Sequence, residues 1–134
     1  MTSQTSHLGE RIDRSAADVY AFVADPLNLP RWAHGLGQAP EYDNGEWFID
    51  SPMGRVGVAF APSNDFGVLD HTVTTPKGEI FYNPMRVVPY GDGCEVVFSV
   101  RQFPGVSDEE FARDTGLVAA DLARLKQILE TSAH

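Results

Sequence analysis

Hydrophobic positions along this chain change their spacing twice, and each spacing predicts a different kind of element. Residues 7–14 place Leu8 and Ile12 where a first strand would bury them. Ser15 then offers a helix N-cap, with Asp18 three positions on, and Val19, Tyr20, Phe22 and Val23 recur at helical spacing up to Asp25. Pro26 stops that helix. Asn28 and Pro30 open a second short helix that carries Trp32 and Leu36 and ends at Gly35 and Gly37.

From Gln38 to Phe103 the period becomes two. Asn44-Gly45 is a strong hairpin signal, because both residues tolerate positive φ. Strands are predicted over residues 46–50, 55–61, 68–75, 79–88 and 94–103, separated by turns such as Pro76-Lys77-Gly78 and Gly91-Asp92-Gly93. Pro84 falls inside one of them and predicts a bulge or an edge position there. With the strand before Asn44 and the one at the start, this makes about seven. All links are short, so the sheet is expected to be antiparallel.

The third spacing is helical again. Ser107-Asp108-Glu109-Glu110 is a capping box, and Phe111, Thr115, Val118, Leu122, Leu125 and Leu129 form one apolar stripe behind it. A helix over 107–131 would be about 37 Å long at 1.5 Å per residue. Only a curved sheet can cover a stripe of that length in a chain this small.

Composition narrows the picture. At 134 residues the chain is read as one domain, residues 1–134. The 10 Lys and Arg against 19 Asp and Glu give a net charge of −9, which argues against nucleic acid and against an anionic membrane as partners. No membrane-length apolar run and no signal-like start are present, and the single Cys94 fits a reducing compartment, so a cytoplasmic location is expected. Neither a metal nor a cofactor is expected. The histidines at 7, 34, 71 and 134 lack metal-ligand spacing, and Gly35-Leu36-Gly37 is no dinucleotide fingerprint. The carboxylates at 108–110 are explained by the helix start they flank.

Three segments carry a resemblance to a known superfamily. They are residues 15–26 (Ser-Ala-Ala-Asp-Val-Tyr-Ala-Phe-Val-Ala-Asp-Pro) with Leu29-Pro30-Arg31-Trp32; residues 67–71 (Gly-Val-Leu-Asp-His) with 83–89 (Asn-Pro-Met-Arg-Val-Val-Pro); and residues 93–98 (Gly-Cys-Glu-Val-Val-Phe) leading to the capped helix. In this order the chain resembles the START-like, or SRPBCC, superfamily, in its polyketide cyclase/dehydratase-like branch. The resemblance implies an α+β helix-grip fold, in which a seven-stranded bent antiparallel sheet surrounds the C-terminal helix and two short helices follow strand one. It also implies a cavity between sheet and helix for a small hydrophobic or aromatic ligand, polyketide-like or lipid-like.

The candidate residues follow from strand parity and from that expectation. His71 shares a face with Leu69 and Val73, taken as the inner one, and is the candidate catalytic residue, as a proton donor or acceptor. Asp70 points to the other face, so the two do not form an acid–base pair. Trp32, Trp47, Phe60, Phe81, Met85, Phe98, Phe111 and Val118 are the candidate ligand-binding residues beside His71. Each has a plainer role as core filling. Tyr82 and Arg86 are read as exterior, His34 as solvent-facing or at the entrance, and Arg101 and Gln102 as near the rim. Three functions remain open at this point: a cyclase/dehydratase-type enzyme, a non-catalytic carrier or sensor, and an interaction protein with a collapsed cavity. The expected assembly is a monomer or a homodimer.

Overall fold

The structure, a computed structural model, describes residues 3–36 and 38–131. Strand β1 (Thr5–Ile12) leads into helix α1 (Ala16–Ala24), a 3₁₀ turn (Pro26–Asn28) and the short helix α2 (Leu29–Trp32). Then follow β2 (Glu41–Asp43), β3 (Glu46–Ser51), β4 (Gly54–Phe60), β5 (His71–Thr74), β6 (Ile80–Asn83), β7 (Met85–Tyr90) and β8 (Gly93–Arg101), and helix α3 (Asp108–Thr131) closes the chain.

Local signals act where the sequence places them. The amide of Asp18 donates to Ser15 Oγ at 3.1 Å, capping α1. At α3, Glu110 N donates to Ser107 Oγ at 3.1 Å while Ser107 N donates to Glu110 Oε1 at 3.2 Å, which completes the capping box. Asn44 and Gly45 both have positive φ, 53° and 84°, and join β2 to β3. Helix α2 is shorter than its pattern suggested. It ends at Trp32, so Leu36 lies beyond it, and Gly37 falls outside the described residues.

Among the described residues the sheet is antiparallel throughout and has eight strands in two halves, ordered β1-β8-β7 and β2-β3-β4-β5-β6. The eighth strand arises at Pro84, where the single strand read over 79–88 divides. β6 pairs with β5, whereas β7 pairs with β8. Proline has no N–H for the ladder, but its carbonyl still accepts from Ser99 N at 3.0 Å, so the chain changes partner there. The segment read as a strand over 68–75 divides in the same way. Gly67 O accepts from Val87 N and Leu69 N donates to Met85 O, both at 2.9 Å, while His71 onward pairs with β4 and β6. The two halves therefore meet along a seam at Asp70 and Pro84.

Helix α3 lies on β1, β8 and α2. Phe111, Leu122, Leu125 and Leu129 are buried there, each contributing on the order of 1.5–3 kcal/mol by leaving water. Thr115 and Val118, on the same stripe, are half-buried. Polar ties fix both ends of the helix. Lys126 Nζ donates to Arg11 O at 2.8 Å and Arg14 Nη1 to Leu129 O at 2.7 Å. Gln102, read as a rim residue, is buried: its amide nitrogen donates to Val106 O at 2.9 Å and Asp108 Oδ1 at 2.8 Å, holding the turn before α3. No described helix is long and apolar enough to cross a membrane.

Candidate functional site

Sheet register sets the inner face. Tyr42, Trp47, Val58, Val73 and Phe81 stand opposite one another across the five-stranded half, with Phe60, His71 and Asn83 in a neighbouring row. The seam then brings Phe98 of β8 to His71. The imidazole lies 5.0 Å from the Phe60 ring and 5.7 Å from the Phe98 ring, centre to centre, and His71 is only 7% exposed. Its Nδ1 is 3.0 Å from Leu69 O. A carbonyl can only accept, so Nδ1 carries the proton and Nε2 is left as a lone pair with no hydrogen-bond partner among the described residues.

Burial pushes the His71 pKa below its ordinary 6.5, opposed in part by the Leu69 carbonyl and the Asp70 charge. The unfolded chain therefore takes up a proton near pH 6.5 that the folded one refuses, and this part of the stability is lost as pH falls through 6.5 toward the folded value. Urea unfolding of the wild type and of His71→Leu at pH 7.5 and 5.5 should show the wild type losing ground to the variant at the lower pH. A stability difference independent of pH would contradict the buried neutral imidazole.

The aromatic candidates fall into separate groups. Trp47 packs against Tyr42 at 5.1 Å, and Phe81 against Phe103 at 4.9 Å. Met85 stands opposite Phe98 across β7 and β8 and is fully buried. Phe111 is buried on α3, Val118 is half-buried there, and Trp32 is buried on α2. A groove of about 720 Å³ runs along the five-stranded half, with Trp47, Val58, Phe60 and Thr75 on one side and Ala24 and Pro26 at the end of α1 on the other. Of the candidates, Trp47 and Phe60 line it. His71 is one ring behind its wall, in contact with Phe60. No α3 side chain lines the groove, because the stripe of α3 is packed down on β1 and β8.

On the opposite side of the seam, Asp70 is the hub of a clamp. Its carboxylate accepts from Arg86 Nε at 3.0 Å, from Arg86 Nη2 at 2.9 Å, from Met85 N at 2.9 Å and from the Tyr82 hydroxyl. Tyr82 and Arg86 are half-exposed, as their parity indicated. The clamp holds the two positions at which the chain changes sheet.

A second polar hub went unread in the sequence. Asp121 is 4% exposed, and its Oδ2 is 2.6 Å from His34 Nδ1 while Oδ1 accepts from His34 N at 3.1 Å and Arg124 Nη1 at 3.2 Å. Arg124 Nη1 also donates to Trp32 O at 2.7 Å, so the hub fastens the end of α2 to α3. A signal did exist: Asp121 lies three residues after Val118 and four before Leu125, on the flank of the apolar stripe.

A bent antiparallel sheet gripping a long C-terminal helix, with two short helices after the first strand, is a helix-grip fold. No protein-family model matches the chain, and no curated protein matches it in sequence. Among solved structures it is similar to DynU16, a protein of the dynemicin biosynthetic locus, at 15% identity and a TM-score of 0.71, covering 95% of this chain and 47% of that one. The chain thus spans about half the length of DynU16. It is similar to CalU16 from Micromonospora echinospora at 14% identity and a TM-score of 0.68, covering 98% and 78%. It is also similar to a truncated norcoclaurine synthase from Thalictrum flavum at 16% identity and a TM-score of 0.67, covering 98% and 96%. At these identities the likeness is one of fold.

Proposed function

We propose that this protein binds a small hydrophobic or aromatic molecule in the groove beside β3 and β4. The observation that carries this reading is the groove itself, about 720 Å³ in volume and bordered by Trp47, Val58 and Phe60. That size suits a molecule of a few fused rings, and the aromatic walls offer apolar area with little rotamer entropy to lose. The net charge of −9 favours a neutral ligand over an anionic one. The single buried thiol of Cys94 suits a reducing compartment, so the cytoplasm is the proposed location.

The test uses N-phenyl-1-naphthylamine, a neutral probe whose emission rises in apolar surroundings. Saturable binding to the wild type is expected, weakened about tenfold by Trp47→Ala, which corresponds to about 1.4 kcal/mol of lost contact. Absence of saturable binding, together with bare protein mass in native mass spectrometry after gentle purification, would overturn the reading.

One observation supports a second reading, catalysis of the cyclase/dehydratase type. The unpartnered Nε2 of His71 is a base held behind Phe60, on the groove's wall. The fold-level likeness to a synthase is compatible with it. On any ligand found to be turned over, His71→Ala should lower kcat by about 100-fold or more. Full activity in that variant would overturn the role of His71.

A further inference from the structure

Phe66 is 84% exposed, more than any other large apolar side chain among the described residues. Its loop is held too firmly for the ring to tuck in. Asn64 Oδ1 accepts from Phe66 N and Val68 N, both at 3.0 Å, while Asn64 Nδ2 donates to Pro62 O at 2.9 Å and to Val68 O at 3.0 Å. Asn64 N donates to the Tyr20 hydroxyl at 3.0 Å and Val87 N to Gly67 O at 2.9 Å, which moors the loop to α1 and β7. A ring held out in water on an ordered backbone is an anchor that needs little further ordering when a partner covers it.

Beside Phe66 lies a hollow of about 390 Å³, walled by Ala16, Ala17 and Tyr20 of α1 and by Val87 and Pro89 of β7. A cavity of about 150 Å³ already takes a benzene ring. Phe66 borders the hollow, but its own ring, facing solvent, does not fill it. Knob and hollow thus share one face, which is the condition for a closed two-fold contact between identical chains. Their charges also match. The amides of Ala16 and Ala17, at the positive N-terminus of α1, have no hydrogen-bond partner among the described residues, since Ser15 serves Asp18 N and Val19 N instead. Asp65, the residue before Phe66, borders the hollow without reaching these amides, and its carboxylate has no ion pair or hydrogen bond among the described residues. Strand addition to β7 is blocked, because the next outward-facing position after Val87 is Pro89, which has no N–H.

We propose that this face docks a second copy of the chain, with the partner's Phe66 filling the hollow and the partner's Asp65 meeting the N-terminus of α1, reciprocally about a two-fold axis. The contact is small. Two phenylalanine side chains account for about 300–500 Å², against the roughly 1,200 Å² from which stable specific interfaces begin. Each copy also carries a charge of −9, which opposes association. The dimer is therefore weak, with a Kd on the order of 100 μM.

Sedimentation velocity from about 10 μM to about 1 mM protein, in about 0.15 M salt, tests this. The wild type should pass reversibly from monomer to dimer. Phe66→Ser should weaken association at least about tenfold, and Asp65→Asn about two- to threefold. Ala17→Trp, which plugs the hollow from an exposed helix position, should weaken it as much as Phe66→Ser does. Both replaced side chains face water, so the variants keep the fold, and equal urea midpoints check it. A wild type that stays monomeric throughout overturns the proposal and leaves Phe66 to a different kind of partner. A dimer weakened by Phe66→Ser but not by Ala17→Trp seats the ring elsewhere and overturns it too.

Discussion

Replacing Gly67 by alanine is expected to destabilise the protein by about 3–4 kcal/mol, a large share of the margin of a small domain. Gly67 has φ of +72°, where a side chain costs on the order of 1–2 kcal/mol. The Cβ would also stand 2.1 Å from Val87 O, inside any tolerable contact, and that atom is backbone and cannot swing away. The seam must therefore open. It would give up the bonds from Val87 N to Gly67 O and from Leu69 N to Met85 O, each worth about 1 kcal/mol net. The adjoining loop resists the shift, because Asn64 Oδ1 accepts from both Phe66 N and Val68 N at 3.0 Å. Urea unfolding measures the loss, and one below about 1 kcal/mol would contradict the close approach.

Asp70→Ala should destabilise by about 2–4 kcal/mol. The dominant loss is the buried acceptor for Met85 N, whose desolvated amide is left without a partner. The Arg86 pair adds less than its two-pronged geometry suggests, since half of that side chain faces water. A double-mutant cycle with Arg86→Ala should return a coupling of about 1 kcal/mol. Acid provides a second check. The Arg86 guanidinium holds the Asp70 carboxyl well below its ordinary 3.8; burial opposes it, and the Tyr82 hydroxyl and the Met85 amide reinforce it. A lowered carboxyl pKa gives stability that is fully present above 3.8 and is lost as pH falls below that value. Wild type and Asp70→Ala should therefore converge on acidification below pH 3.8, and curves that stay parallel would exclude the clamp as the cause.

Both of these residues sit where the chain leaves one half of the sheet for the other, and that seam explains which features were legible beforehand. The capping box at Ser107, the Asn44-Gly45 hairpin and the stripe of α3 act between residues a few positions apart, so their consequences are written locally. Parity correctly set Asp70 against His71 and placed Tyr82 and Arg86 outside. Pro84 was legible as a disturbance. Whether it bulges one strand or hands the chain from β5 to β8 depends on Ser99 N donating to its carbonyl from fifteen residues away along the chain.

The candidate site divides in the same manner. Strand alternation named Trp47, Phe60, His71 and Phe98 as inward, and His71 does meet Phe60 and Phe98. Which inward residues pack solidly and which border open space is settled by how α3 and the end of α1 settle on the sheet. Met85 is sealed in the core, Trp47 and Phe60 are on the groove, and Trp32 is buried with an unpaired donor. Asp121 shows the same limit, because a carboxylate on the flank of a helix stripe becomes a buried hub only once His34, 87 residues earlier in the chain, is brought to it.

By itself, then, the sequence determined the order of elements, their caps and turns, and the face of each strand that avoids water. Those follow from backbone geometry and side-chain periodicity over short stretches. The tertiary structure alone decided the sheet's division at Asp70 and Pro84, the place of the groove, and which polar atoms are left without partners. These depend on long-range packing, where burial and hydrogen bonding are shared among residues that local pattern cannot pair.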